Sequence, residues 1–528
     1  MKKFAKLLSL LLAMLMAFSL MAACGGDKTE EEKPAEDDKN NEQPADDKTD
    51  EQPSGEKRDD IIIATANEPP TVHPYLHSAV AASYMNYLTF DYFLRSNVET
   101  LEPEAGAITE WEAVSDTEWH FTIRDDITYH NGEKAIAEDF VASMMYAREN
   151  SSYTSNFSGF FETAEVIDDT HFKVITKTPY ARTLYDMSSF RVLDKDLIDA
   201  GHDFNASPIG SGPYVFENWT LGESLSFTAY DNYWEGAPSI KNMTWKIIPE
   251  GSSRTIALEA GEIDVIIEVE TNDLARLSET DGINTINIPG TSFNWLILNN
   301  EVKPFDNKDF RHFMNCAIEK EAVMEVALNG AGTANYRQTP GMFAGASDVN
   351  IDKYDPALAK EYLDKSGIDP TTVSFSCICS DDTKRRCAEV IQAYLAEYGI
   401  TMTIESMDLA TYLSAAAEGN FETTIGGCTS SNTLGFIEYK YHSSMIGGSN
   451  FTRTNDPVLD EMYDTAAQTL DDAERMKMIE EMVAYIQADC PQIPTYSVNV
   501  VRAYNSNLQG YEVNASGNTY WQNVSWAE

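Results

Sequence analysis

Between Gly25 and Asp60 the chain has no aromatic residue and no Val, Ile, Leu or Met, yet it carries 15 acidic and 6 basic side chains with Pro34, Pro44 and Pro53. Such a stretch cannot bury enough apolar surface to offset the entropy of ordering it, so it is expected to stay disordered. Folding is thereby confined to residues 61–528. That body is too long for one ordinary hydrophobic core, and two or three lobes are expected. As a random coil the charged stretch spans roughly 30 Å, and its like charges extend it further.

The preceding residues carry an export signal. Met1-Lys2-Lys3-Phe4-Ala5-Lys6 leads into an apolar run from Leu7 to Ala23 without a charge. A basic start, a short apolar core and a small-residue exit are the parts of a secretory signal. The run falls slightly short of the roughly 20 residues a membrane span needs. The exit Met21-Ala22-Ala23-Cys24-Gly25-Gly26 is similar to the bacterial lipobox, with Met21 where Leu is usual. That resemblance implies cleavage before Cys24 and acylation of its amine and thiol. Two acyl chains give stable anchoring. The expected product is a lipoprotein on the outer face of the cell membrane, in a bacterium of Gram-positive type. Residues 24–60 then tether the body above the bilayer. The alternative is a plain signal peptide cut near Ala23, with Cys24 a bystander.

The net charge of −47 excludes the basic footprint that nucleic acid requires. It equally opposes a body lying on an anionic membrane. Beyond Cys24 the cysteines are Cys316, Cys377, Cys379, Cys387, Cys428 and Cys490. Cys377-x-Cys379 with Cys387 matches no common zinc spacing and has no His nearby, so no metal or cofactor is expected. A disulfide among the six and a set of buried free thiols both stay open.

Along the body, strand and helix signals alternate. Ile61–Ala64 is a short apolar strand that breaks at Asn67-Glu68-Pro69-Pro70. Trp119 to Arg124 alternates like a half-buried strand, and Asn131-Gly132 signals a tight turn. Phe172–Thr176, Tyr214–Trp219, Asn242–Pro249 and Val265–Ile267 are further strands. Ala82–Phe93, Ala137–Arg148, Ser253–Ala260, Phe310–Leu328, Asp355–Lys365, Thr383–Tyr398 and Asp456–Ile486 carry helical periodicity, the last interrupted near Thr469. The class is α/β. Gly210 and Gly212 before Pro213 suggest a sharp turn into a strand. Gly261 after Leu258-Glu259-Ala260 reads as a helix stop.

Several of these blocks together resemble the extracellular solute-binding proteins of peptide-type and nickel-type ABC importers. One is Trp119 to Arg124 continuing through Tyr129-His130-Asn131-Gly132 to Ala137-Glu138-Asp139-Phe140. Another is Ile209-Gly210-Ser211-Gly212-Pro213-Tyr214, followed by Asn232-Tyr233-Trp234 and Leu258 to Asp264. A third is Asn299 with Pro304-Phe305, Arg311 and Ala317-Ile318. The resemblance covers residues 61–528. It implies a three-lobed periplasmic-binding-protein-like fold with a hinged cleft. Lobe I would comprise about 61–93, 209–298 and 496–528, lobe II about 94–208, and lobe III about 299–495. Solute would lie between lobes I and III, which close about strands crossing near 295–300 and 490–497.

The same mapping implies three segments at the cleft. Asn67 and Glu68 follow the first strand and offer backbone groups to an extended ligand. Phe293 and Trp295 stand where family members place aromatics, with Tyr496 before the last crossover; for Phe293 and Trp295 a core role fits equally well. The third segment is Gly426, Gly427, Cys428, Ser430, Ser431 and Asn432. Peptide-binding members carry an Asp there for the peptide's amine, and this chain has none. A buried ammonium without a carboxylate partner is costly, so Ser430, Ser431 and Asn432 would supply neutral hydrogen bonds, or another acid such as Glu438 would serve.

The function that follows is a monomeric binding protein that captures an oligopeptide or peptide-like solute and delivers it to an ABC permease and its ATPase subunits. The alternatives are the same fold holding a non-peptide solute, or acting as a sensor. A surface hydrolase is disfavoured, because G-x-S-x-G and H-E-x-x-H are both absent.

Overall fold

The computed structural model describes residues 58–527 except 78, 152–158, 344, 346, 347 and 431. The export signal, Cys24 and residues 25–57 lie outside the described residues. The fold begins slightly earlier than the composition suggests. Asp60 opens the first strand, Asp60–Thr65, and Arg58 pairs with Asp264 at 2.7 Å.

Two antiparallel strands, Ile283–Leu298 and Gln492–Asn505, are paired along most of their length in one eleven-stranded sheet. On one side the sheet continues through Thr423–Thr429, Ser374–Cys379 and Thr401–Ser406. On the other it continues through Val265–Ile266, Asp60–Thr65, Asn242–Ile247, Ser224–Ala229 and Tyr214–Thr220. Two register shifts interrupt the long pair, between Pro289 and Ser292 and between Asn294 and Trp295. Bulges of this kind bend and twist a strand locally.

A second, four-stranded antiparallel sheet runs in the order Ile108–Ala113, Glu118–Ile123, His171–Thr176, Phe161–Asp168. Trp119, Phe121 and Ile123 are buried and alternate with half-buried residues, as the sequence pattern predicts. Phe121 stacks on Phe172 with ring centroids 5.2 Å apart, and Phe140 from the helix Ala137–Asn150 closes over them. Asp139 Oδ2 accepts from the Ile136 amide at 2.9 Å and fixes the start of that helix.

Six of the aspartates start α-helices. Asp194, Asp355, Asp381, Asp408, Asp456 and Asp471 are N-caps whose carboxylates accept from first-turn amides. Each satisfies an orphan donor and complements the helix dipole.

Phe310–Leu328 is not one helix. Lys308–Ala317 and Lys320–Leu328 are separated by an extended Ile318. Lys320 explains how the break is tolerated: its buried ammonium donates to the Asn315 carbonyl and, at 2.9 Å, to that of Ile318. Carbonyls freed at the helix end thus keep partners.

In the 209–214 block the chain bends at 211–213 into the strand Tyr214–Thr220, as expected. Neither Gly210 nor Gly212 has a positive φ. A Cβ on Gly210 would lie 2.0 Å from the Thr89 carbonyl oxygen, and one on Gly212 would lie 2.6 Å from that of Leu88. Close backbone approach at this bend, rather than a positive φ, excludes side chains there. Gly261 does end its helix, at φ 72° with its amide on the Leu258 carbonyl.

All six described cysteines are free thiols, and five share one core with Leu296, Phe313 and Tyr496. They pack there as small apolar groups. Among the described residues no helix is long and apolar enough to cross a membrane.

Candidate functional site

A cavity of about 860 Å³ is lined by described residues from three stretches of chain: between 74 and 83, at 151 and between 159 and 191, and between 428 and 445.

The first wall is held by His73. Its Nδ1 accepts from the Tyr75 and Leu76 amides at 3.0 and 3.2 Å, which orients the turn carrying Pro74, Tyr75 and His77. Burial depresses the His73 pKa to about 4, so the ring is neutral and Nδ1 stays an acceptor. His77 is likewise held neutral, at about 4, by burial and then by the charge of Arg191.

Tyr75 locks this wall to the second. Its hydroxyl accepts from the Arg191 amide at 2.7 Å and donates to the Arg191 carbonyl at 3.2 Å. The Arg191 guanidinium lies 5.2 Å from the Tyr75 ring and 4.7 Å from the Tyr92 ring, within cation–π range. Its Nη1 donates to the Ser189 carbonyl at 2.7 Å. No ion pair to a carboxylate is made by Arg191 among the described residues, and its Nε is buried without an acceptor.

Arg182 is neutralised. Its Nη1 meets Glu438 at 2.5 Å and its Nη2 meets Asp186 at 3.5 Å. Tyr180 donates to the second Asp186 oxygen at 2.7 Å. Burial pushes the Asp186 carboxyl upward, while Arg182 and the Tyr180 hydrogen bond oppose that shift.

The third wall is the end of the strand Thr423–Thr429 and the helix Thr433–Tyr441. Asn432 caps that helix, accepting from the Gly435 amide at 2.7 Å, so its Oδ1 is already used. The Ser430 hydroxyl donates to the Asn432 carbonyl at 3.1 Å. Glu438, Tyr439 and Cys428 complete this side.

Of the residues expected from sequence at the site, Cys428, Ser430 and Asn432 line the cavity. Ser431 lies outside the described residues. The others sit elsewhere. Glu68 accepts from Trp219 Nε1 at 2.7 Å and the Gly222 amide at 2.8 Å, and so braces a hairpin next to Asn67. Phe293 and Trp295 belong to an apolar core with Phe343 and Phe436, Trp295 with no exposed surface. Tyr496 is buried in the neighbouring core. Gly426 and Gly427 allow close packing, since a Cβ on Gly427 would lie 2.3 Å from the Phe293 carbonyl oxygen.

The wall from 159 to 191 escaped sequence reasoning. Its signal was a run of cations and tyrosines, Lys177, Tyr180, Arg182, Tyr185 and Arg191, in a strongly acidic chain. One buried group, His312, Asp352 and Cys490, brings ligand-type atoms within 4.8 Å of one another. His312 Nδ1 faces Asp352 at 2.5 Å and Nε2 faces the Ala488 carbonyl at 3.0 Å, so both ring nitrogens are committed to protein acceptors.

Residues 102–445 match the family model for bacterial extracellular solute-binding proteins, family 5. The chain belongs to that family. It is therefore a solute-binding protein of the ABC-importer type and not an enzyme. It is 25% identical to the dipeptide-binding protein of Escherichia coli over 468 residues, covering 81% of this chain and 87% of that one. It is 27% identical to heme-binding protein A of Haemophilus influenzae over 329 residues, spanning 61% of this chain and 60% of that relative's length. The solved structure of HbpA2 from Haemophilus parasuis superposes with a TM-score of 0.82 at 22% identity, covering 89% of this chain and all of that one. In this solute-binding protein the paired Arg182 and Glu438 both line the cavity.

Proposed function

We propose that this family 5 protein is the lipid-anchored receptor of an ABC importer, holding an oligopeptide or peptide-like solute in the 860 Å³ cavity and presenting it to a permease. The observation that carries this reading is the composition of the cavity: polar and charged side chains from three distant stretches of chain converge on one space. Relatives named for dipeptide and heme binding support a solute of that size class. In this reading lobe I is about 61–93, 209–298 and 496–528, lobe II about 94–208, and lobe III about 299–495. The long strands Ile283–Leu298 and Gln492–Asn505 are the crossovers about which lobes I and III close. The 159–191 stretch adds a lobe II wall. Cys24 carries the lipid, residues 25–57 are the tether, and the protein works as a monomer outside a Gram-positive cell.

A non-peptide solute is the second reading. It is favoured by the absence of Asp from 426–432 and by the engagement of Glu438 with Arg182. Equilibrium dialysis of the full chain against a tripeptide library tests the first reading. Retention of peptides supports it. Retention of none, with a non-peptide solute found on the protein as isolated, favours the second.

A further inference from the structure

Four buried side chains at the entrance to the strand Gln492–Asn505 form one hydrogen-bonded group. They are Gln338, Tyr441, Gln487 and Gln492, none more than 1% exposed. Tyr441 ends the helix whose Glu438 and Tyr439 line the cavity, Gln487 lies in the helix Asp472–Asp489, and Gln492 opens the strand.

The bonds within the group fix which way each amide faces. The Gln338 backbone N–H donates to Gln487 Oε1 at 2.8 Å, so the Gln487 oxygen is turned toward it and Nε2 away. The Gln492 backbone carbonyl can only accept, and Gln338 Nε2 donates to it at 2.7 Å. The Tyr441 hydroxyl gives its one proton to the Gln338 carbonyl at 2.9 Å. Toward Gln492 that hydroxyl can only accept, and Gln492 Nε2 donates to it at 2.7 Å. Rotating any of the three amides by half a turn would set two donors or two acceptors face to face.

Three atoms are left over. Gln338 Oε1, Gln492 Oε1 and Gln487 Nε2 are buried and have no hydrogen-bond partner among the described residues. An unmet buried polar atom is costly, and native folds rarely keep one. Gln338 bonds directly to both other glutamines, so the three atoms belong to one small polar patch. A common partner must offer hydrogens to two carbonyl oxygens and accept one from an amide nitrogen. An anion would be opposed by the two oxygens, and a cation by the N–H. Water has two hydrogens to give and lone pairs to receive, and buried waters typically make about three such bonds.

We infer that one internal water molecule is bound here, donating to Gln338 Oε1 and Gln492 Oε1 and accepting from Gln487 Nε2. It completes the polar link between the helix Thr433–Tyr441 of the cavity wall, the helix Asp472–Asp489 and the first residue of the long strand. The site does not depend on which solute the cavity holds.

The test is a high-resolution crystal structure of the full chain, paired with a solution measurement. The expected map has a peak within hydrogen-bond distance, about 2.7–3.2 Å, of all three atoms. In solution, protein labelled with nitrogen-15 at glutamine should show magnetisation transfer from a long-lived water to the Gln487 side-chain amide, whose signal is assigned by its loss in Gln487→Met. If that variant does not fold, Gln487→Glu serves for the assignment. Direct bonding of Gln487 Nε2 to either oxygen, a map empty between them, or a peak that misses any of the three atoms overturns the inference. So does a Gln487 amide that receives no transfer from water.

Discussion

Arg182 and Glu438 meet at 2.5 Å, joining the Tyr180–Asp186 stretch to the helix Thr433–Tyr441 on the facing side of the cavity. Glu438, an acid that lines the cavity, is therefore already committed to a protein cation. Behind it, Asp186 depends on the same guanidinium and on the Tyr180 hydroxyl.

Arg182→Met strands the Asp186 carboxylate. At pH 8 the variant should lose about 2–4 kcal/mol of stability, the cost of leaving a largely buried charge unpaired. Burial already raises the Asp186 pKa, and removing Arg182 raises it further. A raised folded pKa favours the protonated native state, so the penalty shrinks as pH falls. Urea denaturation at pH 8 and pH 5 should show the smaller loss at pH 5.

His73 should make the protein acid-sensitive. Its folded pKa of about 4 lies below the ordinary 6.5, because burial disfavours the charged ring. The stability it contributes is fully present above pH 6.5 and is lost as pH falls toward 4. The slope from one such group is about 1.4 kcal/mol per pH unit at most. His73→Asn keeps an acceptor for the Tyr75 and Leu76 amides but cannot titrate. Stability measured from pH 7 to pH 4.5 should fall less steeply in that variant.

Gly212→Ala should cost about 3 kcal/mol or more, because its Cβ would meet backbone atoms of Leu88 and Thr89 that cannot rotate away. Gly222→Ala is the contrast. That glycine has φ +74° but open space around it, so only backbone strain of about 1–2 kcal/mol applies. Chemical denaturation of the two variants distinguishes close approach from conformational strain.

Trp295→Ala should lower stability by about 3–5 kcal/mol, the usual cost of emptying a buried aromatic site. The ring is wholly buried against Phe436, 5.4 Å away, and Phe293, 6.1 Å away. Thermal unfolding measures this directly. A stability unchanged from wild type would place Trp295 outside the core.

What the sequence revealed was local. The Trp119, Phe121, Ile123 alternation and the Gly261 helix stop depend on neighbours a few residues away, and the structure has both. The split near Thr469 was visible because Asp471 caps a new helix. The split at Ile318 was hidden, because Lys320 reads as an ordinary surface cation on a continuous helical pattern until its burial is known. The same blindness hid most of the cavity. Cys428, Ser430 and Asn432 were reachable through family likeness. Tyr75, Arg182 and Arg191 come together only through long-range packing, and no spacing along the chain announces it. Gly210 and Gly212 were noticed, but the backbone of residues 88–90 that demands them lies far away in sequence.

The central claim is that solute sits in the cavity lined by described residues between 74 and 83, at 151 and between 159 and 191, and between 428 and 445. A crystal structure of the protein loaded from a mixture of peptides and organic acids tests it most directly. The account predicts bound solute touching Arg191 on one wall and the Cys428–Asn432 segment on the other. Solute bound outside this space, for example against Asn67 and Glu68 with the cavity filled only by water, would contradict it.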